Sequence, residues 1–123
     1  MTRATPRRGE IWLVDLNPTL GAEMGKLRPA LVVGRDALAR LPLRLVMPIT
    51  SWQPRFAALP WMVRIEPSPH NGLHKTSAVD TLQIRALDLR RFRRRLGALT
   101  PEQMRQVAAG LRLVLDLGPA LSG

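Results

Sequence analysis

The hydrophobic pattern of this chain changes once, at Thr100, and that change constrains the fold more than any other feature. Before Thr100 the apolar residues form short runs separated by proline, glycine and polar residues, which is typical of β-strands. After it they recur at helical spacing on one face, at Met104, Val107, Ala108, Leu111 and Leu115. The pattern therefore predicts short strands followed by one amphipathic helix, which is an α+β fold.

The start of this helix carries a specific signature. Thr100 can be the N-cap, Pro101 suits the first helical position, and Gln103 completes a capping box. Gly118 and Pro119 are expected to stop the helix.

The strand-like runs predict a small, strongly bent β-barrel closed by the helix. Strands are expected at residues 9–15, 30–34, 43–50, 61–66, 77–85 and 94–99, with one helical turn within 86–92. The loop between the first two spans about ten residues, and loops of that length are often functional. We expect a single domain over residues 1–123, with flexible ends at 1–8 and 118–123.

The charge balance points to a polyanionic partner. Lys and Arg number 19 against 9 Asp and Glu, which gives a net charge of +10. The chain has no cysteine and two histidines, so neither disulfides nor a cysteine- or histidine-rich metal site is expected. No apolar stretch approaches the roughly 18 residues of a membrane span, which predicts a cytoplasmic protein without a membrane partner.

Two short segments could carry chemistry. Arg28 precedes Pro29, which pushes it towards an extended backbone at the mouth of a buried strand, where a guanidinium could bind a phosphate. Thr50 and Ser51 end another strand and offer two hydroxyl groups. Taken alone, these residues are more simply interpreted as a surface arginine capping a strand and an ordinary strand-end turn.

Six segments together resemble the MazF/PemK family of toxins. They lie in the family's order and spacing at residues 9–12 (GEIW), 15–23 (DLNPTLGAE), 28–32 (RPALV), 48–50 (PIT), 83–88 (QIRALD) and 96–102 (LGALTPE). The resemblance runs from about Arg8 to Leu117, which is nearly the whole chain.

The resemblance implies both a fold and an activity. It implies an SH3-like barrel of five to seven strands with a C-terminal helix, acting as a homodimer. It also implies a toxin of a type II toxin–antitoxin system that cleaves single-stranded RNA at specific sequences, without a metal or cofactor. The partner would be a small acidic MazE-like antitoxin. The family's catalytic residues fall on Arg28 and Thr50.

Further positions are predicted to contact RNA. They are Asn17, Thr19 and Glu23 on the long loop, Ser51, and Gln83, which matches a family glutamine. The chain departs from the family pattern at Met24, where glutamine is frequent, and at Leu82, where an acidic residue is frequent. Both departures concern the RNA sequence recognised more than the chemistry.

Other polar and aromatic residues have plainer interpretations. His74 and Lys75 are expected to be exposed loop residues, and Trp52 could either stack a base or pack at the barrel rim. The arginine-rich run at residues 90–95 is interpreted as a solvated basic edge that attracts phosphate.

Two other functional classes remain open from the sequence. CcdB-type toxins of the same fold poison DNA gyrase through a C-terminal segment containing tryptophan, whereas this sequence ends with PALSG at 119–123. A basic nucleic-acid-binding module without catalysis is the third interpretation, and it would bind RNA without cutting it.

Overall fold

A computed structural model describes residues 5–118 of the chain. It contains seven strands and one helix: β1 (Glu10–Asp15), β2 (Leu27–Val32), β3 (Leu43–Ser51), β4 (Met62–Ile65), β5 (Ser77–Asp80), β6 (Arg85–Asp88), β7 (Phe92–Ala98) and α1 (Pro101–Leu115). Short 3₁₀ turns occur at Asp36–Leu38, Pro54–Ala58, Thr81–Gln83 and Leu89–Arg91.

The strands form one antiparallel sheet in the order β4-β5-β3-β2-β1-β7, and β6 pairs with the first half of β3. This confirms the α+β class. Within residues 5–118 no ladder joins β7 to β4 or β6, so the predicted closure into a barrel is not confirmed.

The two central strands are covered on both faces. Leu31 and Met47 belong to a core cluster that also contains Val107 of α1. Their neighbours Val32 and Val46 belong to a second cluster, on the other face of the sheet. Since side chains alternate along a strand, burial of both faces explains why β2 and β3 read as continuous apolar runs.

The capping box predicted for α1 is present. The Gln103 backbone N–H donates to Thr100 Oγ1 at 3.1 Å, and the Thr100 N–H donates to Gln103 Oε1 at 2.9 Å. The helix ends at Leu115, before the predicted stop, and Asp116 follows in a left-handed conformation. Leu115 is 51% exposed, because the buried residues of α1, Val107 and Gly110, lie eight and five positions before it.

Side-chain caps explain where the predicted strands differ from the observed ones. The predicted strand at 77–85 is interrupted, because the Asp80 carboxylate accepts the Leu82 N–H at 3.1 Å and starts a 3₁₀ turn. The predicted helical turn within 86–92 is limited to the 3₁₀ turn at Leu89–Arg91, where Asp88 accepts the Arg90 N–H at 2.8 Å.

The start of the described chain is attached to the sheet. The Pro6 carbonyl accepts a 2.9 Å hydrogen bond from Nε of the buried Arg44, and the Arg8 N–H donates to Asp36 at 2.8 Å. The remaining residues of the predicted flexible ends, 1–4 and 119–123, lie outside the described residues, as does Pro119 of the predicted helix stop. Within residues 5–118, no helix has the length and apolar character needed to span a membrane.

Candidate active site

The sheet divides between β2 and β3. Their ladder ends at the pair Ala30–Pro48. Beyond that pair, β2 runs beside β1 as far as Leu27, whereas β3 runs beside β5 as far as Ser51. Pro48 and Pro29 lack an N–H, so neither can donate to a continued ladder. A gap therefore opens between the start of β2 and the end of β3.

Arg28 and Thr50 face each other across this gap. Continuing the Ala30–Pro48 register by two residues brings Arg28 opposite Thr50, with both side chains on one face. Arg28 Nη1 lies 3.4 Å from Thr50 Oγ1, and both residues are half-buried. The fold thus brings together the two residues that the sequence predicts to be catalytic.

Two contacts fix the orientation of the Arg28 guanidinium. Its Nε donates to the Gly25 carbonyl at 2.9 Å, and Nη1 donates to Thr50 Oγ1. A guanidinium has five N–H donors, so at most three remain for a ligand. Because Thr50 accepts from Arg28, the Thr50 hydroxyl proton is also available for donation.

A cavity of about 260 Å³ opens beside this pair. Its lining contains three cationic side chains and no carboxylate: Lys26, Leu27, Arg28, Pro29, Ile49, Thr50, Ser51, Lys75 and Ser77. Two hydroxyl-bearing residues, Thr50 and Ser51, lie side by side in it. A cavity with unbalanced positive charge and several hydrogen-bond donors suits a phosphate group.

The loop between β1 and β2 is closed at its base by backbone and side-chain contacts. The Leu16 N–H donates to the Lys26 carbonyl at 3.0 Å, and the Lys26 N–H donates to Asn17 Oδ1 at 2.9 Å. Arg85 Nη1 donates to the Leu16 carbonyl at 3.0 Å, and Arg91 Nη1 donates to the Asn17 carbonyl. The Asn17 side-chain oxygen is therefore occupied in holding the loop.

Gly25 allows the two ends of the loop to approach each other closely. A Cβ atom at Gly25 would lie 2.5 Å from Asn17 Oδ1 and 2.7 Å from Thr19 Oγ1. Thr19 is half-buried in this contact region, whereas Asn17 is exposed. Asn17 and Thr19 thus lie next to the residue whose carbonyl orients Arg28.

Glu23 is exposed and stabilises a turn within the same loop. Its Oε1 accepts the Leu20 N–H at 2.6 Å, and the Glu23 N–H donates to the Leu20 carbonyl at 3.1 Å. The second carboxylate oxygen has no hydrogen bond within the described part of the chain.

Gln83, in the 3₁₀ turn between β5 and β6, binds the loop. Its Oε1 accepts the Met24 N–H at 2.7 Å, and its Nε2 donates to the Ala22 carbonyl at 3.2 Å. Met24 precedes Gly25, so Gln83 acts one residue away from the carbonyl that holds Arg28. The amide that the sequence predicts to contact RNA is thus engaged with the protein backbone.

A second cavity, of about 470 Å³, lies beside this contact. It is lined by Ala22, Glu23, Met24, Pro48, Leu82, Gln83, Ile84 and Arg85. Met24 and Leu82, the two departures from the family pattern, therefore face one space together with Glu23 and Gln83. Pro48 belongs to the same strand as Thr50, so the two cavities adjoin the same stretch of β3.

Asp80 holds the 3₁₀ turn that presents Leu82 and Gln83. Burial raises the pKa of the Asp80 carboxyl above its ordinary value, although the hydrogen bonds it accepts from the Leu82 and Gln83 backbone and from the Gln83 side chain oppose the shift.

His74 and Lys75 are exposed, as expected. Trp52 has an established packing role: its ring meets Phe56 edge-on at 5.7 Å, and the Arg64 guanidinium lies 5.3 Å from its centroid. Stacking of a base on Trp52 would have to displace Arg64.

The sequence did not single out Arg85 or Arg91 as loop supports. Both bind carbonyls about 70 positions earlier in the chain, at separations of 69 and 74 residues. The arginine-rich composition of 90–95 was a signal for Arg91, whereas Arg85 was noted only as part of the segment 83–88. Within residues 5–118, no three His, Cys, Asp or Glu side chains come close enough together to hold a metal ion.

Comparison with known proteins places this geometry in context. A family model described as "PemK-like, MazF-like toxin of type II toxin-antitoxin system" matches residues 7–115. A crystal structure of MazF from Deinococcus radiodurans is 27% identical, with a TM-score of 0.78, covering 92% of this chain and 98% of that one.

Two structures of complexes are also similar. A MazE–MazF crystal structure from D. radiodurans is 26% identical, with a TM-score of 0.70 over 92% of this chain and 98% of its own. An endoribonuclease in complex with its cognate antitoxin, from a mycobacterial species, shares the fold at 24% identity and a TM-score of 0.75, covering 94% and 99% of the two chains.

Proposed function

Because the chain belongs to the PemK-like, MazF-like family of toxins of type II toxin–antitoxin systems, we propose that it is a sequence-specific endoribonuclease that cuts single-stranded RNA without a metal ion. The observation that carries this proposal is the Arg28–Thr50 pair on the wall of a cationic cavity.

The reaction that suits such a site is transesterification. The 2′-OH attacks the adjacent phosphorus in line and loses its proton, a phosphorane forms, and the bond to the 5′-oxygen breaks. That oxygen takes up a proton as it leaves. The products are a 2′,3′-cyclic phosphate and a 5′-OH, and the step needs no oxidant or other co-reactant.

Arg28 stabilises the phosphorane in this proposal. Its remaining N–H donors are pre-oriented by Gly25 and Thr50, so they can bind two non-bridging oxygens as negative charge develops. The family resemblance also assigns proton transfer to this arginine. A guanidinium with a pKa above about 12 is a poor base, so charge stabilisation is the role its chemistry favours.

Thr50 and Ser51 supply further hydrogen bonds. The Thr50 oxygen is occupied by Arg28, which directs its proton towards the cavity. Ser51 lines the same cavity and can donate to a phosphate oxygen.

Base recognition is assigned to the β1–β2 loop and the adjoining 470 Å³ cavity. Glu23 offers a carboxylate oxygen to a base amino group, while Met24 and Leu82 offer apolar contact. Asn17, Thr19 and Gln83 contribute by fixing the loop that carries these groups. Because Met24 and Leu82 stand where the family frequently has a glutamine and an acidic residue, we expect this protein to recognise an RNA sequence different from that of relatives with the polar residues.

The proposed partners follow from charge and family. A net charge of +10 favours an acidic antitoxin of the MazE type and the RNA itself. We propose that the toxin acts in the cytoplasm as a homodimer whose sheet closes into an SH3-like barrel. Sedimentation at nanomolar concentration tests the dimer, since a fully active monomer would contradict it.

The decisive experiment incubates the purified protein with mixed single-stranded RNA in excess EDTA. Discrete cleavage, absent for Arg28→Ala, is the expected result. Binding without cleavage would instead identify a nucleic-acid-binding module. Inhibition of DNA gyrase with intact RNA would identify a gyrase poison.

A further inference from the structure

One arginine of the run at 90–95 differs from its neighbours. The other four are each engaged by a carboxylate or a backbone carbonyl: Arg90 by Asp88, Arg91 by Asp15 and Asn17, Arg93 by Asp15, and Arg95 by Glu10. The Arg94 side chain has no hydrogen bond or ion pair within residues 5–118, and it is exposed. The charge of Arg94 is therefore available to a ligand.

Arg94 lines a cavity of about 180 Å³ on the other side of Pro29 from the candidate catalytic pair. The cavity lies among β1, β2, β7 and the segment before β5, and its lining is Leu13, Pro29, Gly72, Leu73, His74, Lys75, Ser77, Arg94 and Leu96. In the sheet Leu13 pairs with Arg94 on one side and with Pro29 on the other. Two strand spacings therefore separate Arg94 from Pro29, about 10 Å between Cα atoms.

This cavity adjoins the one that contains Arg28 and Thr50. Pro29, Lys75 and Ser77 line both of them. Like Arg94, the Lys75 ammonium is exposed and makes no ion pair within the described residues. Arg28, Lys75 and Arg94, none of which makes an ion pair within the described residues, thus follow one another from the candidate catalytic pair to the second cavity.

We propose that this cavity is a subsite for a second RNA phosphate, close to the scissile one along the strand. Arg94 binds the phosphate through its guanidinium, and Lys75, between the two cavities, contacts the backbone that connects the two phosphates. Leu13, Pro29 and Leu96 form an apolar floor that the sugar can cover. The inference rests on the proposed function, because it takes the Arg28 cavity as the position of the scissile phosphate.

The charge distribution favours an extended polyanion over a single free anion. Each cavity holds unpaired cations but no carboxylate. Successive phosphates on one strand can occupy both cavities at the same time, and each contact releases counterions. The other arginines of the run are each held by a carboxylate or by backbone carbonyls, so they are less free than Arg94 to reorient towards a phosphate.

The test uses Arg94→Gln with Arg90→Gln as the matched control. Both substitutions remove one exposed arginine from the same segment, but Arg90 lies outside the cavity and is paired with Asp88. The probe is a single-stranded RNA whose cleavage site has been mapped with the wild-type protein. A 2′-deoxy substitution at the cut nucleotide prevents cleavage, so fluorescence anisotropy measures affinity alone.

We expect Arg94→Gln to weaken binding about threefold to tenfold. It should also lower the slope of log Kd against log salt by about one. Arg90→Gln should change Kd less than twofold. Phosphates beside the cut can be replaced one at a time by neutral methylphosphonates. At one position this replacement should weaken RNA binding by the wild type but should not further weaken binding by Arg94→Gln.

Two results would overturn the subsite. One is an Arg94→Gln protein that binds like the wild type. The other is an affinity loss in Arg94→Gln that adds in full to the loss caused by each methylphosphonate, because Arg94 would then contact no particular phosphate. Failure of the proposed function is distinguishable, because the wild type would then produce no mapped cleavage site at all.

Discussion

Replacing Gln83 with leucine should separate loop positioning from RNA contact. The change removes both hydrogen bonds that Gln83 makes to the β1–β2 loop, from the Met24 N–H and to the Ala22 carbonyl. Each is worth about 0.5–1.5 kcal/mol in a half-exposed setting, so the ordered loop should lose about 1–3 kcal/mol. That loss lowers the ratio of ordered to open loop by a factor of roughly 5 to 150.

The order of the loop should affect activity because Gly25, which lies in the loop, orients Arg28. Its carbonyl fixes Arg28 Nε, and it directly follows Met24 in the chain. A loop that is open part of the time leaves the guanidinium unaligned for the same fraction of time. Single-turnover cleavage at saturating Gln83→Leu should therefore slow, whereas a residue that only binds RNA would raise KM and leave this rate unchanged.

Hydrogen exchange at the Met24 amide supplies the direct measurement. In the wild type this N–H is bonded to Gln83, and in Gln83→Leu its protection should fall by a similar factor. Gln106→Leu, an exposed change of the same kind on α1, is the control and should alter neither quantity. If Gln83→Leu loses RNA affinity while Met24 keeps its protection, Gln83 contacts RNA directly and the positioning argument is wrong.

Three further predictions concern chemistry, charge and pH. Arg28→Ala should slow single-turnover cleavage by about 10²–10³, and Arg28→Lys should not restore the rate. Thr50→Ala should slow cleavage less than Arg28→Ala, and His74→Ala should change it only a few-fold. An inactive His74→Ala beside an active Arg28→Ala would mean that His74, not Arg28, carries the chemistry. RNA affinity should fall by orders of magnitude between roughly 50 and 200 mM salt, and a flat response would show that the charge is not engaged. Burial raises the pKa of Glu10, but hydrogen bonds from Trp12, the Arg7 backbone and Arg95 outweigh it and hold that pKa below its ordinary value. The stabilisation from ionised Glu10 should thus be fully present above the ordinary carboxyl pKa and be lost as the pH falls through the lowered pKa. In urea unfolding, Glu10→Gln should differ from wild type at pH 7, and the difference should shrink as the pH falls through that lowered pKa.

Local signals in the sequence predicted the features that depend on neighbouring residues. The capping box at Thr100 and Gln103 involves residues three apart, and it is present. The extended backbone of Arg28 follows from Pro29. Its position opposite Thr50 depends in addition on the Ala30–Pro48 register of β2 and β3, which only the folded chain shows.

Features that depend on distant contacts could not be predicted. Gln83 is 59 positions from Met24, so its engagement with the loop becomes visible only in the folded chain. Arg94 stands out only because β7 turns its neighbours towards carboxylates and carbonyls of β1 and the loop. The interruption of the strand at 77–85 is local, because Asp80 caps the Leu82 N–H two residues later. It was missed because the same residues also fit an uninterrupted strand.

Cleavage of one mapped RNA in excess EDTA, compared with the same RNA carrying a single 2′-deoxynucleotide at the cut, tests the central claim most directly. The proposal predicts rapid cutting of the all-ribose strand, a 2′,3′-cyclic phosphate and a 5′-OH at the new ends, and no cutting of the 2′-deoxy strand. Cleavage of the 2′-deoxy strand, or activity that EDTA abolishes and Mg²⁺ restores, would contradict attack by the 2′-OH in a metal-free site built on Arg28 and Thr50.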